Sequence, residues 1–286
     1  MRRAVLLLAS MALALLLATG VAQAIINGQP DTGPNAHPYV GALVSVPPSG
    51  QFKGQRIPVC SGTLVSARVF LTAGHCTDTL IREELPTYVS LDPTYEPGSS
   101  EIIRGTPHTH PLFCFPGGRK SCIPPGRPEV VGGLPRDVRY DVGVTILDKP
   151  VRMATYGALP KAGLVDTLKE GQRLTVVGYG VSGYQIGGGL PPEVQPVHTH
   201  ERSRATVRLL NPLDPAVDDQ LVKTTGTGIG GSGEGACRGD SGGPLFLPDQ
   251  QTIVGLTSGG LPLCRGPAYY QRMDLPGVLS WVRSFL

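Results

Sequence analysis

What this 286-residue chain lacks narrows its function first. Its 25 basic and 22 acidic residues are scattered, and no dense run of lysine or arginine appears. Nucleic-acid and anionic-membrane binding both draw on such a patch, so neither is expected. The apolar run at the start, residues 4–18, falls short of the roughly 20 residues that span a bilayer. The six cysteines show no CxxC spacing, which argues against zinc, and no metal or organic cofactor is expected.

What the N-terminus does contain is an address. Met1-Arg2-Arg3, the short apolar core and the small residues Ala22 and Ala24 make residues 1–24 a secretory signal peptide, cleaved after Ala24. The mature protein is therefore expected to be extracellular, with no membrane segment. Taking 24 from 286 leaves 262 residues, enough for one large or two small cores. Taking Arg2 and Arg3 from the 25 basic residues leaves 23 against 22 acidic ones, so no strongly charged partner is implied. Nothing signals a further domain or an oligomer, and a monomer is expected. An even set of cysteines in an exported chain (Cys60, Cys76, Cys114, Cys122, Cys237 and Cys264) predicts disulfides. Six cysteines allow 15 pairings, and spacing alone does not choose among them.

Glycine (39) and proline (28) recur between short apolar segments, the pattern of many strands joined by turns. Strands are predicted over 39–46, 61–66, 142–147, 174–178, 245–247 and 252–258. Residues 276–286 instead space Val278, Leu279, Trp281, Val282 and Phe285 as a helix does. The fold class is all-β with a C-terminal helix. The Pro- and Gly-rich stretch 107–139, holding Cys114 and Cys122, reads as a long loop, either a wall of a cleft or a stapled surface loop. His108 and His110, like His198 and His200, read as exposed loop residues rather than metal ligands, and Asp214, Asp218 and Asp219 as a solvated acidic turn rather than a calcium site.

The chemistry concentrates in three motifs. Gly239-Asp240-Ser241-Gly242-Gly243-Pro244 is a turn whose glycines let backbone N–H groups approach a ligand. A serine hydroxyl there needs a base to take its proton and donors to hold an oxyanion. His75 lies upstream in Leu71-Thr72-Ala73-Gly74-His75-Cys76, and Asp141 between them in Tyr140-Asp141-Val142-Gly143-Val144-Thr145-Ile146-Leu147.

These motifs, in the order His, Asp, Ser, resemble the trypsin/chymotrypsin family of secreted serine proteases. The resemblance implies Ser241 as nucleophile, His75 as general base and then acid, Asp141 as the carboxylate orienting the imidazole, and the Gly239 and Ser241 amides as the oxyanion hole. It implies two six-stranded antiparallel β-barrels with a C-terminal helix: a protease domain over 25–286, its N-terminal barrel about 25–155 and its C-terminal barrel about 156–286, with the crossover within 150–163. It also implies that a mature chain starting Ile25-Ile26-Asn27-Gly28 turns its new α-amino group inward to pair with Asp240. No residue separates the expected signal cleavage from Ile25, so signal removal itself would produce the active terminus. By the same resemblance Cys60 pairs with Cys76 and Cys237 with Cys264, which leaves Cys114 for Cys122.

For specificity, the resemblance puts Gly235 at the floor of the substrate pocket and Ser258, Gly260 and Ala268 in its walls. An uncharged, open pocket favours an apolar P1 residue, whose burial is worth about 1.5–3 kcal/mol. Gly259 stands where the family usually has a tryptophan, Arg238 adds a positive rim, and a local slip would bring Glu234 to the floor and favour Lys or Arg. The glycine-rich run 224–235 is read as a segment that loses backbone entropy on binding substrate. The expected function is a secreted serine endopeptidase acting on protein or peptide. The competing readings are a protease-like binding protein with little catalysis, a trypsin-like specificity, and an esterase using the same site chemistry.

Overall fold

Short apolar segments broken by glycine and proline cannot build long helices, and in this computed structural model they build strands. The structure describes residues 25–34, 36–50, 52–114, 130–131, 134–135, 138–187, 193–210, 219–227 and 233–286. The expected signal peptide, Cys122, Asp214, Asp218, most of the 107–139 loop and residues 228–232 of the glycine-rich run lie outside the described residues.

A two-residue strand β1 (Gln29–Pro30) precedes β2 (Val40–Ser45), β3 (Ile57–Leu64), β4 (Val69–Thr72), β5 (Tyr88–Ser90) and β6 (Ile103–Thr109). A small pair, β7 (Val130–Val131) and β8 (Leu134–Pro135), comes before β9 (Gly143–Leu147). β2 to β6 and β9 close into an antiparallel barrel in the order β2-β3-β4-β9-β6-β5. Leu43, Leu64, Phe70, Leu71 and Leu147 are fully buried in its core. Each such side chain contributes about 1.5–3 kcal/mol.

The second half holds β10 (Arg173–Gly178), β11 (Val181–Ile186), β12 (Val194–His198), β13 (Ser203–Arg208), β14 (Leu221–Thr224), β15 (Pro244–Phe246), β16 (Ile253–Gly260) and β17 (Ala268–Arg272). Its sheet runs β1-β13-β10-β15-β16-β17-β14. A bridge between Leu209, just past β13, and Thr224 of β14 brings the two ends of the six-strand run together, with β1 added at the side. β11 and β12 form a separate hairpin. Val177, Phe246 and Leu256 of this half join the first barrel's apolar cluster, so the seam between the barrels is itself core.

The two termini each cross to the other half. β1 pairs with β13, and Asp31 just after it is buried with Arg202 Nε 2.8 Å from Oδ2 and His37 Nδ1 2.8 Å from Oδ1. Helix α2 (Pro276–Arg283) follows a short helix α1 (Gly74–Arg82) in chain order and packs Val278 and Val282 against the first barrel. That packing corrects the reading of His108 and His110 as exposed loop residues. His108 belongs to β6 and meets Phe285 at 5.3 Å, while His110 is buried, stacked on Tyr140 at 4.6 Å with Trp281 at its edge. β6 tolerates Pro107 because its pairing with β5 stops at Arg104, leaving a neighbour on one side only. His198 is exposed but lies on β12, and His200 is half-buried against Tyr95.

Candidate active site

The Ser241 turn is drawn tight by its own backbone. Gly239 and Gly242 take φ of +91° and +78°, a region that a side chain disfavours. The Asp240 amide donates to Cys237 O, Gly242 to Thr257 O and Gly243 to Asp240 O, while Ser61 donates its amide to Ser241 O and its hydroxyl to Gly239 O. The Gly239 and Ser241 amides donate to none of the described residues. Two N–H groups of the turn are thus uncommitted among the described residues.

His75 sits one residue into α1, whose start is pinned by the Cys60–Cys76 disulfide to β3. Its backbone amide donates to Asp141 Oδ1 at 2.8 Å, and its Nδ1 lies 2.9 Å from Oδ2 and 3.1 Å from Oδ1. A carboxylate only accepts, so Nδ1 carries the proton and Nε2 keeps its lone pair. Asp141 is fully buried. Ser258 Oγ donates to its Oδ2, and its own amide donates to Gln271 Oε1. Burial would raise the Asp141 carboxyl, but the charge and hydrogen bonds of His75 and the Ser258 hydroxyl hold it below the usual range. Burial would lower the His75 imidazole, and Asp141 outweighs it and raises it. Cys60, His75 and Cys76 place ligand atoms within 4.8 Å, yet both sulfurs are spent in the disulfide.

His75 and Ser241 line one depression of about 280 Å³ with Val59 and Leu80. Ser241 also lines an adjoining cavity of about 460 Å³ with Cys237, Arg238, Thr257 and Gly260. Of the expected pocket residues, only Gly260 borders that cavity. Ser258, expected in the pocket wall, turns its hydroxyl to Asp141, because a buried carboxylate needs donors and the hydroxyl is in reach. Gly235 is packed against Gly226 and paired with Ile26, and Ala268 lies in the sheet opposite Gly260; neither is among the lining residues. Tyr184, Val194 and Pro196, from the β11–β12 hairpin, line the cavity and were not singled out from sequence. Their only signal was Tyr184 itself, the one aromatic residue of its strand.

Asp240 is fully buried and accepts the amides of Gly180 and Cys237. No cation among the described residues pairs with it, and burial pushes its carboxyl up to about 7, against the pull of those two amides. Ile25 is fully buried as well, and Ile26 bridges Gly235, five residues before Asp240. The Cys237–Cys264 disulfide is formed. Cys114 is also disulfide-bonded, while its expected partner Cys122 is outside the described residues.

Two antiparallel barrels with these motifs at their seam are the architecture of the chymotrypsin-like serine proteases. The family profile of trypsin matches residues 127–282, a stretch that includes Asp141 and Ser241. The vitellin-degrading protease of Bombyx mori is 27% identical over 227 residues, covering 79% of this chain and 72% of that protein. Snake venom serine protease HS112 of Bothrops jararaca is 26% identical over 79% of this chain and 77% of its own length. In structure, HL collagenase matches 91% of this chain and 98% of its own with a TM-score of 0.62 at 17% identity, a likeness of fold. The chain belongs to the trypsin family. It is a serine-type endopeptidase, a hydrolase whose substrates are proteins.

Proposed function

We propose that this endopeptidase is secreted, acts as a monomer without a cofactor, and cleaves after apolar residues through a Ser241–His75–Asp141 acyl-enzyme mechanism. The observation that carries the reading is the His75–Asp141 pair, which leaves Nε2 unprotonated on a residue lining the same depression as Ser241. Ser241 Oγ attacks the peptide carbonyl as His75 Nε2 takes its proton, and the Gly239 and Ser241 amides receive the oxyanion. The tetrahedral adduct collapses, the C–N bond breaks, and His75 gives the proton to the leaving amine. Water repeats the sequence on the ester, returning Ser241 and releasing the acid.

The neutral pocket rests on two placements. Glu234, whose slip would favour Lys or Arg, accepts the Thr206 amide at 3.0 Å on its carboxylate and lines a different cavity from Ser241. Tyr184, Val194 and Pro196 supply apolar wall near Gly259, where a Cβ would meet nothing within 4 Å. Maturation after Ala24 supplies the missing partner of Asp240, the Ile25 α-amino group. The protease domain then comprises residues 25–286, with its halves meeting near 155/156.

A mixed peptide library incubated with the protein and with its Ser241→Ala variant tests this reading by mass spectrometry. Cuts after Phe, Tyr, Leu or Met that vanish in the variant are expected, since losing such a nucleophile costs about 10⁶ in kcat. Cuts after Lys or Arg would overturn the pocket, and cuts that persist in the variant would overturn the nucleophile.

A further inference from the structure

The outer face of the second barrel carries a cationic groove that the reaction does not use. On β13 the residues Ser203, Ala205 and Val207 point into the core, which turns Arg204, Thr206 and Arg208 outward. Arg208 is paired directly across the ladder with Arg173 of β10. Like charges set opposite each other in a sheet are destabilising without a counter-charge. Among the described residues Arg173 makes no ion pair, and the Arg208 guanidinium donates Nη1 to Gly171 O at 3.3 Å and makes no ion pair. The guanidinium of Arg204 approaches Asp31 at 3.8 Å, a carboxylate already held by Arg202 and His37 at 2.8 Å. These three arginines border a concavity of about 660 Å³, together with Gln29, Gln250 and, among the described residues, one acid, Glu234.

We propose that this groove is an exosite for an acidic peptide segment of the protein substrate, remote from the bond that is cut. Arg204 and Arg208 are four residues apart on one strand, roughly 13 Å, which an extended peptide matches with carboxylates four residues apart. Guanidinium forks suit carboxylates, and the neutral amide of Gln29 suits a peptide backbone, whereas the Gln250 amide is already engaged by His37, Thr175 and Pro248. A densely sulfated polysaccharide fits less well, because it would meet three cations and the repulsion of Glu234 on a protein whose mature formal charge is near zero. The proposal rests on the substrates being proteins and not on the Ser241 assignment.

The test uses the full protein carrying Ser241→Ala and a fluorescent Gly/Ser peptide with aspartates at positions four apart. Anisotropy should report saturable binding that weakens about tenfold in Arg173→Gln/Arg208→Gln and again on raising salt. With Ser241 restored, the same double change should leave turnover of a short neutral peptide unchanged and raise KM for a substrate carrying the acidic stretch. Both arginines face outward, and an unchanged Tm establishes that the variant is folded. The proposal fails if the peptide with asparagine in place of aspartate binds equally, if the double variant binds as the parent does, or if a sulfated oligosaccharide binds these arginines while the peptide does not.

Discussion

Two carboxylates lie fully buried at this site, and the protein treats them in opposite ways. Asp141 is surrounded by donors from its own fold: the His75 amide and imidazole, and the Ser258 hydroxyl. Its carboxyl is held below the usual range. Asp240 receives two backbone amides and no cation among the described residues, and its carboxyl rises to about 7. An ionised group kept from water is stable only with a partner, and removing one partner of a buried pair costs on the order of 3–5 kcal/mol. The lesson is that the carboxylate beside His75 is supplied with donors by the fold itself, whereas the one beside Ser241 has no cation among the described residues. In our reading cleavage after Ala24 makes that charge.

The comparison is broken hardest at Asp141. Asp141→Asn keeps the shape but presents an amide to Nδ1, which favours the wrong imidazole tautomer; kcat measured by peptide turnover should fall about 10⁴ with the fold kept. At Asp240 the effect is on stability. A carboxyl raised from its unfolded value to about 7 binds more protons folded than unfolded between about pH 4 and 7. A chain extended beyond Ile25 should therefore lose roughly 4 kcal/mol of stability as pH rises across that window, followed by urea unfolding. The chain beginning at Ile25 should lose far less. Smaller again is Asp240→Asn, which should stabilise the extended chain near pH 7 and cost the Ile25 chain about 10²–10³ in kcat, the scale of a disordered oxyanion site.

How much of this was legible in the sequence follows the same division. The three motifs marked His75, Asp141 and Ser241 because covalent neighbours carry that information, and the helical spacing of Val278, Leu279 and Val282 marked the C-terminal helix. Helix α1 was not foreseen, since Gly74–Arg82 buries Leu80 as its one large aliphatic side chain and its start is fixed by the Cys60–Cys76 bridge and the Asp141 carboxylate rather than by periodicity. Strand β6 was read in part as loop because Pro107 punctuates it, and only the missing neighbour on one side explains why it is tolerated. The pocket was the least legible part. Its expected residues came from the segments of Gly235, of Ser258 and Gly260, and of Ala268, while Tyr184, Val194 and Pro196 reach it from a hairpin whose position depends on the tertiary fold.

The central claim is that the Ser241 turn waits for a cation that the Ile25 amino group supplies, and one experiment reaches it directly. The chain beginning at Ile25 and the same chain retaining Ala24 are compared for turnover of one peptide substrate at pH 8. The account predicts that the first is active and that the second is slower by about 10² or more in kcat/KM, because the donors for the oxyanion are not held in place. Equal turnover by the two chains would contradict it.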